Sequence, residues 1–509
     1  MKKVLLTLGL LVMLGSRALA SDFSGDTIYF ILIDRFHRGG SGAPAPEQIS
    51  SPDHSEWKLY WGGDIKGVAD KLPYIKSLGS TAIWLTPVFD NTRDLYRYKF
   101  GDQEEKISAY HGYWARDFTA VNPFFGILED YRNLVNKAHG MGIKIIFDMV
   151  LNHTSPVGQG CDGALYDGER LLASYGKDPE NWFHHRGSID FSKQDPREWQ
   201  DKNLFDLADL AQENPKVAEY LIQSGKFWVA QGIDGFRLDT VRHLPPEFVR
   251  RFVEEMLKIN PNLWFFGEWS MGGLCSPEAI RFTNETGVNL IDFTLQSLLV
   301  EVIAKDKPCR LLPDYLKKDL LISHPERLVT IIDNHDMPRF ISTCRQYGSD
   351  ERLARKKTQA ALLLLMCLRG IPCIYYGTEQ FLHNDTTSTW GVGGEPYNRQ
   401  MMERFDSGLP FITSIRKLAQ LRLDNAALRK GRLRTLALTP DAWVFEKHAG
   451  KKAVLVAFNK GKKTSIELSA NPLWNGRIQG ILGPPATFNK GKAVLDLPPW
   501  SCRVLALPR

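Results

Sequence analysis

"GIDGFRLDTVRH", residues 232 to 243, decides the fold: it is a short β-rich run that opens on a glycine and closes on charged residues. Seven other runs share this character: "TIYFILIDRF" (27 to 36), "TAIWLTPVF" (81 to 89), "GIKIIFDMVLNH" (142 to 153), "LWFFGEW" (263 to 269), "NLIDF" (289 to 293), "RLVTIIDNHD" (327 to 336) and "GIPCIYYG" (370 to 377). Amphipathic segments such as "YRNLVNKAHG" and "TQAALLLLMCLRG" separate them, and their terminal glycines suit helix C-caps. Eight strands alternating with helices predict a (β/α)8 TIM barrel. Polar residues gather at the C-terminal ends of the strands, the end that carries the active site in such a barrel.

Two regions depart from this rhythm. Residues 154–211 after the third strand are too long for a barrel loop and are rich in Gly, Asp and aromatics, which predicts an inserted domain over the barrel mouth. From about 430 the chain alternates, as in "AWVFEKH", "AVLVAFNK", "TSIELSA" and "CRVLALP", which predicts a C-terminal antiparallel β-sandwich domain over 430–509. The barrel then comprises 21–153 and 212–429. Residues 1–20 read as a cleaved export signal, with Lys2 and Lys3 before an apolar run and Ala18-Leu19-Ala20 at its end.

The 509 residues exceed the ~250–300 at which single cores stop growing, so two or three domains are expected. Removing the signal takes away Lys2, Lys3 and Arg17 and lowers the net charge from +6 to +3, too little and too dispersed for nucleic acid. No later apolar run reaches the roughly 20 residues of a membrane helix. The sequence therefore predicts a secreted or periplasmic monomer. Seven cysteines at wide spacings fit neither a zinc site nor a disulfide scaffold; export permits a bridge or two, and an odd count leaves one thiol over.

Three strand ends present acids: Asp239 in "FRLD", Glu268 in "FGEW" and Asp336 in "DNHD". Any one alone is a weak signal, but on strands four, five and seven of one barrel they converge on one pocket. Glycosidic bond cleavage needs such a pair, an ionised carboxylate beneath the sugar ring and a protonated carboxyl at the leaving oxygen. Arg237 stands two residues before Asp239 and points to the same side, where it would hold that acid ionised; a structural salt bridge is a compatible reading. Behind Phe265 and Phe266, Glu268 has an apolar setting that would raise its pKa. His153, His243 and His335 accompany the acids without the spacing of zinc ligands, and neutral imidazoles donating to sugar hydroxyls account for them better. Tyr110, Tyr113 and Trp114 in "YHGYW" and Trp390 in "TWGVGGEPYNR" offer rings for sugar stacking, although ordinary packing explains any single one.

The strings "DMVLNH", "GFRLDTVRH", "GEW" and "IDNHD", in this order, resemble the conserved regions of the α-amylase family of glycoside hydrolases. The likeness is closest to the branch of cyclodextrin glucanotransferases and maltogenic amylases, through "KNLFDLADL" (202 to 210), "NHTSP", "FHH" and "LYDG". The resemblance implies a retaining enzyme acting on α-glucans such as starch and maltooligosaccharides, with Asp239 as nucleophile, Glu268 as acid/base and Asp336 as the third acid. It further implies that His111, Tyr113, His153, Phe205, Arg237, Arg242, His243, His335, Glu395 and Arg399 bind substrate. A structural Ca2+ between barrel and insertion is implied at Asn152, Asp209 and the His243 carbonyl. A second calcium, near the first strand, is not expected, because "HRGGSGAPAP" (37 to 46) replaces the family's ligands and only Asp64 remains.

The branch divides over what attacks the intermediate, water or a sugar hydroxyl. Phe205 and Phe191 match aromatics of the glucanotransferases. Ser270 stands where those enzymes place phenylalanine, the loop "MGGLCSPE" (271 to 278) is one residue shorter, and their additional modules do not follow the third domain. These features predict mainly hydrolysis, with cyclodextrin formation as the alternative. A non-catalytic glucan-binding protein would be expected to have lost one of the three acids. Phe205 is expected over the centre of the cleft; its competing role is packing the insertion onto the barrel.

Overall fold

The computed structural model of the chain describes residues 23–100, 103–193, 195–270 and 273–507. The export signal expected at 1–20 and the pair Met271 and Gly272 lie outside the described residues. Eight parallel strands form one sheet: β1 (Ile28–Ile31), β2 (Ala82–Leu85), β3 (Lys144–Met149), β4 (Gly235–Leu238), β5 (Trp264–Gly267), β6 (Asn289–Leu290), β7 (Val329–Thr330) and β8 (Ile371–Tyr375). Each pairs with the next, β8 pairs with β1, and the Ile291–Val329 bridge closes the ring between β6 and β7. The (β/α)8 barrel read from the sequence is thus the observed architecture. Its strands are buried on both faces, which is why they read as continuous apolar runs. Phe30, Trp84 and Phe266 fill the interior near the mouth, Phe30 and Trp84 stacked at 3.6 Å and Trp84 edge-on to Phe266 at 5.4 Å.

Strand seven departs from the sequence reading. Of "RLVTIIDNHD" only Val329–Thr330 is strand, because the buried Asp333 turns the chain: it accepts from Phe340 N (2.9 Å) and Thr378 Oγ1 (3.0 Å). Asp336 is therefore carried on the following loop and not at the strand end. Between β2 and β3 lies a hairpin, Tyr96–Phe100 with Gln103–Ile107, that the sequence reading did not anticipate.

After β3 the inserted segment begins at once. His153–Gly158 pairs antiparallel with Leu207–Asp209, placing Asp209 opposite His153, so both ends of the insertion are tied together at the barrel mouth. At the C-terminus, Arg432–Leu438, Ala442–Ala449, Lys452–Asn459, Ser501–Ala506 and Gly480–Leu482 form an antiparallel sheet. Along Lys452–Asn459 the residues alternate: Ala453, Leu455 and Ala457 face the domain's own core around Trp474, while Val454, Val456 and Phe458 join the barrel core. Among the described residues no helix is long and apolar enough to cross a membrane.

Candidate active site

Arg237 organises the acids. It is fully buried on β4, directly across from Asp148 of β3. Its Nη1 donates to Asp148 Oδ1 (2.9 Å) and Asp239 Oδ1 (2.6 Å), and its Nη2 donates to Glu268. Asp239 and Glu268 follow the last residues of the adjacent strands β4 and β5, and the one guanidinium of Arg237 holds both carboxyl groups. Burial alone would raise Asp239, but Arg237 and then His153 outweigh it and hold the carboxyl below its ordinary range. Burial pushes Glu268 up to about 8; Arg237 opposes the rise, and the charges of Asp239 and Asp336 add to it. Two neighbouring carboxyls are thereby driven in opposite directions, one to hold a charge and one to hold a proton.

Asp336 is reached from a different side, by Arg399 Nη2 (3.2 Å) and His335 Nε2 (3.3 Å), with 41% of its side chain open. Arg399 also pairs with Glu395 (2.7 Å) and donates to Tyr110 (3.1 Å). Tyr113 stacks on His335 (5.2 Å, 11°), lies near-parallel to His111 and donates to Asp148 (2.9 Å). Burial pushes the imidazoles of His111, His153 and His335 down, so all three are neutral at pH 7, and His153 Nε2 and His335 Nδ1 are buried without a partner. Such atoms suit hydroxyls arriving with a ligand.

Phe205 lies on the rim, 58% exposed, with a left-handed backbone (φ 56°) and its ring 5.4 Å from Phe191. An exposed phenylalanine held in a strained conformation is unexplained by packing, which argues for a role at the surface. A groove of about 800 Å3 opens beside it, lined by Phe191, Trp199, Arg242 and Trp269. On the opposite flank, beside Glu395, a cavity of about 760 Å3 is lined by Trp57, Tyr397 and hairpin residues including Arg97.

Two of the residues expected at a metal, Asn152 and Asp209, lie at the foot of the insertion, where Leu210 N donates to the Asn152 carbonyl and Asp209 pairs with His153. Asn152 and Asp209 are fully buried, and Asn152 Oδ1 and Asp209 Oδ1 have no partner. The second Asp209 oxygen accepts from His184 (2.6 Å). One free amide oxygen and one free carboxylate oxygen are donors of the kind a hard cation takes. Asp64 differs: Gly39 and Gly67 donate to Oδ1 and Gly40 and Ser41 to Oδ2, so backbone N–H groups do the work a cation would do there.

The match to known proteins follows from this arrangement. Residues 30–409 match the model of the α-amylase catalytic domain. The chain belongs to the α-amylase family. A solved cyclomaltodextrin glucanotransferase, described as having a three-domain ABC distribution, is 40% identical with a TM-score of 0.87, covering 96% of this chain and 100% of its own. An Anoxybacillus α-amylase structure is 31% identical with a TM-score of 0.80, covering 95% and 98%. The cyclomaltodextrin glucanotransferase of Thermoanaerobacterium thermosulfurigenes is 35% identical over 474 residues, 91% of this chain; the chain spans 64% of that relative's length.

Two of the residues singled out from the sequence are turned away from the acids. The His243 imidazole is spent on the Trp199 carbonyl (3.0 Å), and burial pushes it down to about 4. Arg242 lies flat on the Trp199 ring at 3.7 Å, which places it in the 800 Å3 groove. Sequence reasoning missed Asp148 and Trp199. Strand register could have exposed Asp148, whose cross-strand partner is Arg237, whereas Trp199 lies in a segment with no readable period.

Proposed function

We propose that the chain is a retaining α-1,4-glucan enzyme whose covalent intermediate is resolved mainly by transfer to a sugar hydroxyl, giving cyclic and rearranged glucans, with hydrolysis in competition. Asp239, ionised by Arg237, attacks the anomeric carbon while Glu268 gives its proton to the leaving oxygen. Glu268 then takes a proton from the incoming hydroxyl. Supporting retention, one guanidinium, that of Arg237, draws both carboxyls together, whereas inversion needs about 6.5–9.5 Å between them for an intervening water. Asp336, His335, His153 and His111 would hold ring hydroxyls, Tyr113 would stack under the ring, and Arg399 and Glu395 would bound the donor side. Calcium would be held by Asn152, Asp209 and the His243 carbonyl, where it supplies cross-linking charge between insertion and barrel. The remaining steps belong to the side chains.

The observation that carries transfer over hydrolysis is the acceptor-side aromatic surface: exposed Phe205 against Phe191, continued by Trp199 and Arg242 in the adjoining groove. A bound acceptor displaces water from the intermediate. Three domains do not argue against this reading, since the 40% identical glucanotransferase has three. Ser270 favours the second reading, a hydrolytic amylase, because a ring is missing next to Trp269. Export follows from the expected signal. Chromatography of early products from starch tests the choice: cyclic glucans and disproportionated chains are expected, and exclusively linear maltooligosaccharides would reverse it.

A further inference from the structure

Glu395 stands at a boundary: through Arg399 it joins Asp336, and it also lines the cavity of about 760 Å3. Two walls that the chemistry of the acids does not use enclose this cavity. One is aromatic, with Trp57 and Tyr397 half-buried and meeting edge to face at 5.2 Å. The fully buried Arg35 fixes that wall, donating to the carbonyl of Trp57 (3.0 Å) and to that of Arg399 (3.3 Å), two residues past Tyr397. Its guanidinium lies between the rings of Trp61 (3.8 Å) and Tyr110 (4.0 Å). The other wall is the hairpin of Tyr96–Phe100 with Gln103–Ile107. Lys58 ties it to the first, donating to the Tyr98 hydroxyl (2.7 Å) and to Glu105 (3.0 Å), while Ser108 N donates to the Lys58 carbonyl (2.9 Å). Each charged side chain of the lining has a partner of opposite sign: Glu56 with Lys106, Lys58 with Glu105, Arg97 with Glu104, and Glu395 with Arg399. Such a lining suits a neutral polyol rather than an ion, since its paired donors and acceptors meet hydroxyls and its rings meet the apolar faces of sugars.

We propose that the cavity between the hairpin and the Trp57–Tyr397 pair is a remote subsite for a neutral α-1,4-glucan, which holds the non-reducing segment of the donor chain and so favours long donors over short ones. The proposal rests on the reading that Asp239 takes its sugar from an α-glucan whose donor side is bounded by Glu395 and Arg399. On that side the chain runs toward its non-reducing end, because the anomeric carbon it presents faces Asp239. A donor too short to pass Glu395 touches neither wall. A longer one stacks on Trp57 and Tyr397 and is hydrogen-bonded by the hairpin pairs, with the walls already fixed by Arg35 and Lys58 before it arrives.

Donor consumption by the full chain, followed by chromatography for maltotriose and for long-chain amylose, tests this. Consumption counts cleavage whether water or a sugar takes up the intermediate, so exclusively linear products would reverse the transfer reading without touching this test. In Trp57→Ala the ratio of kcat/KM for amylose over maltotriose is expected to fall by about 2- to 13-fold, the loss of one ring–sugar stack, and in Trp57→Phe most of it should return. Arg97→Ala/Glu104→Ala removes an exposed ion pair of little weight in folding and should lower the same ratio from the hairpin side. A ratio unchanged in Trp57→Ala and in the hairpin variant would overturn the subsite. So would equal losses on both donors, the mark of a merely structural role. A parent that consumed no α-glucan would fail the proposed function itself, whereas an unchanged ratio in active variants fails the subsite alone.

Discussion

Phe205 allows the ring and the backbone to be tested apart. Its left-handed φ costs a non-glycine residue roughly 1–2 kcal/mol, and its ring returns about 0.5–1.5 kcal/mol through the pair with Phe191. Phe205→Ala removes the ring and keeps the strain, costing about 0.5–1.5 kcal/mol. Phe205→Gly removes both and adds about 0.5–1 kcal/mol of unfolded-state entropy, leaving a net change between a gain of about 1 and a loss of about 1.5 kcal/mol. In a chain of this size, both variants should melt within about 2 °C of the parent by calorimetry. The catalytic consequence is larger. Losing one sugar–aromatic stack of about 0.5–1.5 kcal/mol on the acceptor side shifts partition between sugar and water by about 2- to 13-fold toward water. Early cyclic and linear products, quantified side by side, give that ratio. Both variants should keep total bond cleavage while the cyclic fraction falls. An unchanged ratio would refute the surface role, and a Tm loss of many degrees with inactivity would make Phe205 a packing residue.

Three further outcomes follow from the site. Activity should fall as pH rises through about 8, where Glu268 loses the proton it must donate, and at the acid end only below the ordinary carboxylate range, where Asp239 finally takes one up; a kcat/KM–pH profile measures both limbs. In Glu268→Gln, activity should drop by about 10²–10⁴ and the alkaline limb should vanish with it. Strong chelation should lower the Tm of the parent but not of Asn152→Ala/Asp209→Ala, since Asn152 Oδ1 and Asp209 Oδ1 are the free oxygens; equal response in both would remove the metal from this site.

The barrel was legible because all eight strands are buried on both faces and announce themselves as apolar runs. Asp239, Glu268 and Arg237 were legible because strand alternation fixes their direction. What stayed hidden depends on partners distant in sequence. Asp148 is recognisable only from its register against Arg237. The loop position of Asp336 depends on side-chain bonds to Asp333 from Phe340 and Thr378. Arg242 reads as a ligand contact until Trp199, from the aperiodic insertion, is found beneath it. The Asp64 nest is built from Gly39, Gly40 and Ser41, residues that read from sequence merely as missing ligands.

Asp239, held ionised by Arg237 beside a protonated Glu268, is expected to form the covalent glycosyl-enzyme. Trapping with a fluorinated α-glucosyl fluoride, followed by peptide mass spectrometry, tests it most directly. One sugar per chain, esterified to Asp239, is the expected product. Labelling at Glu268 or Asp336, or turnover of the reagent with inversion at the anomeric carbon and no adduct, would contradict it.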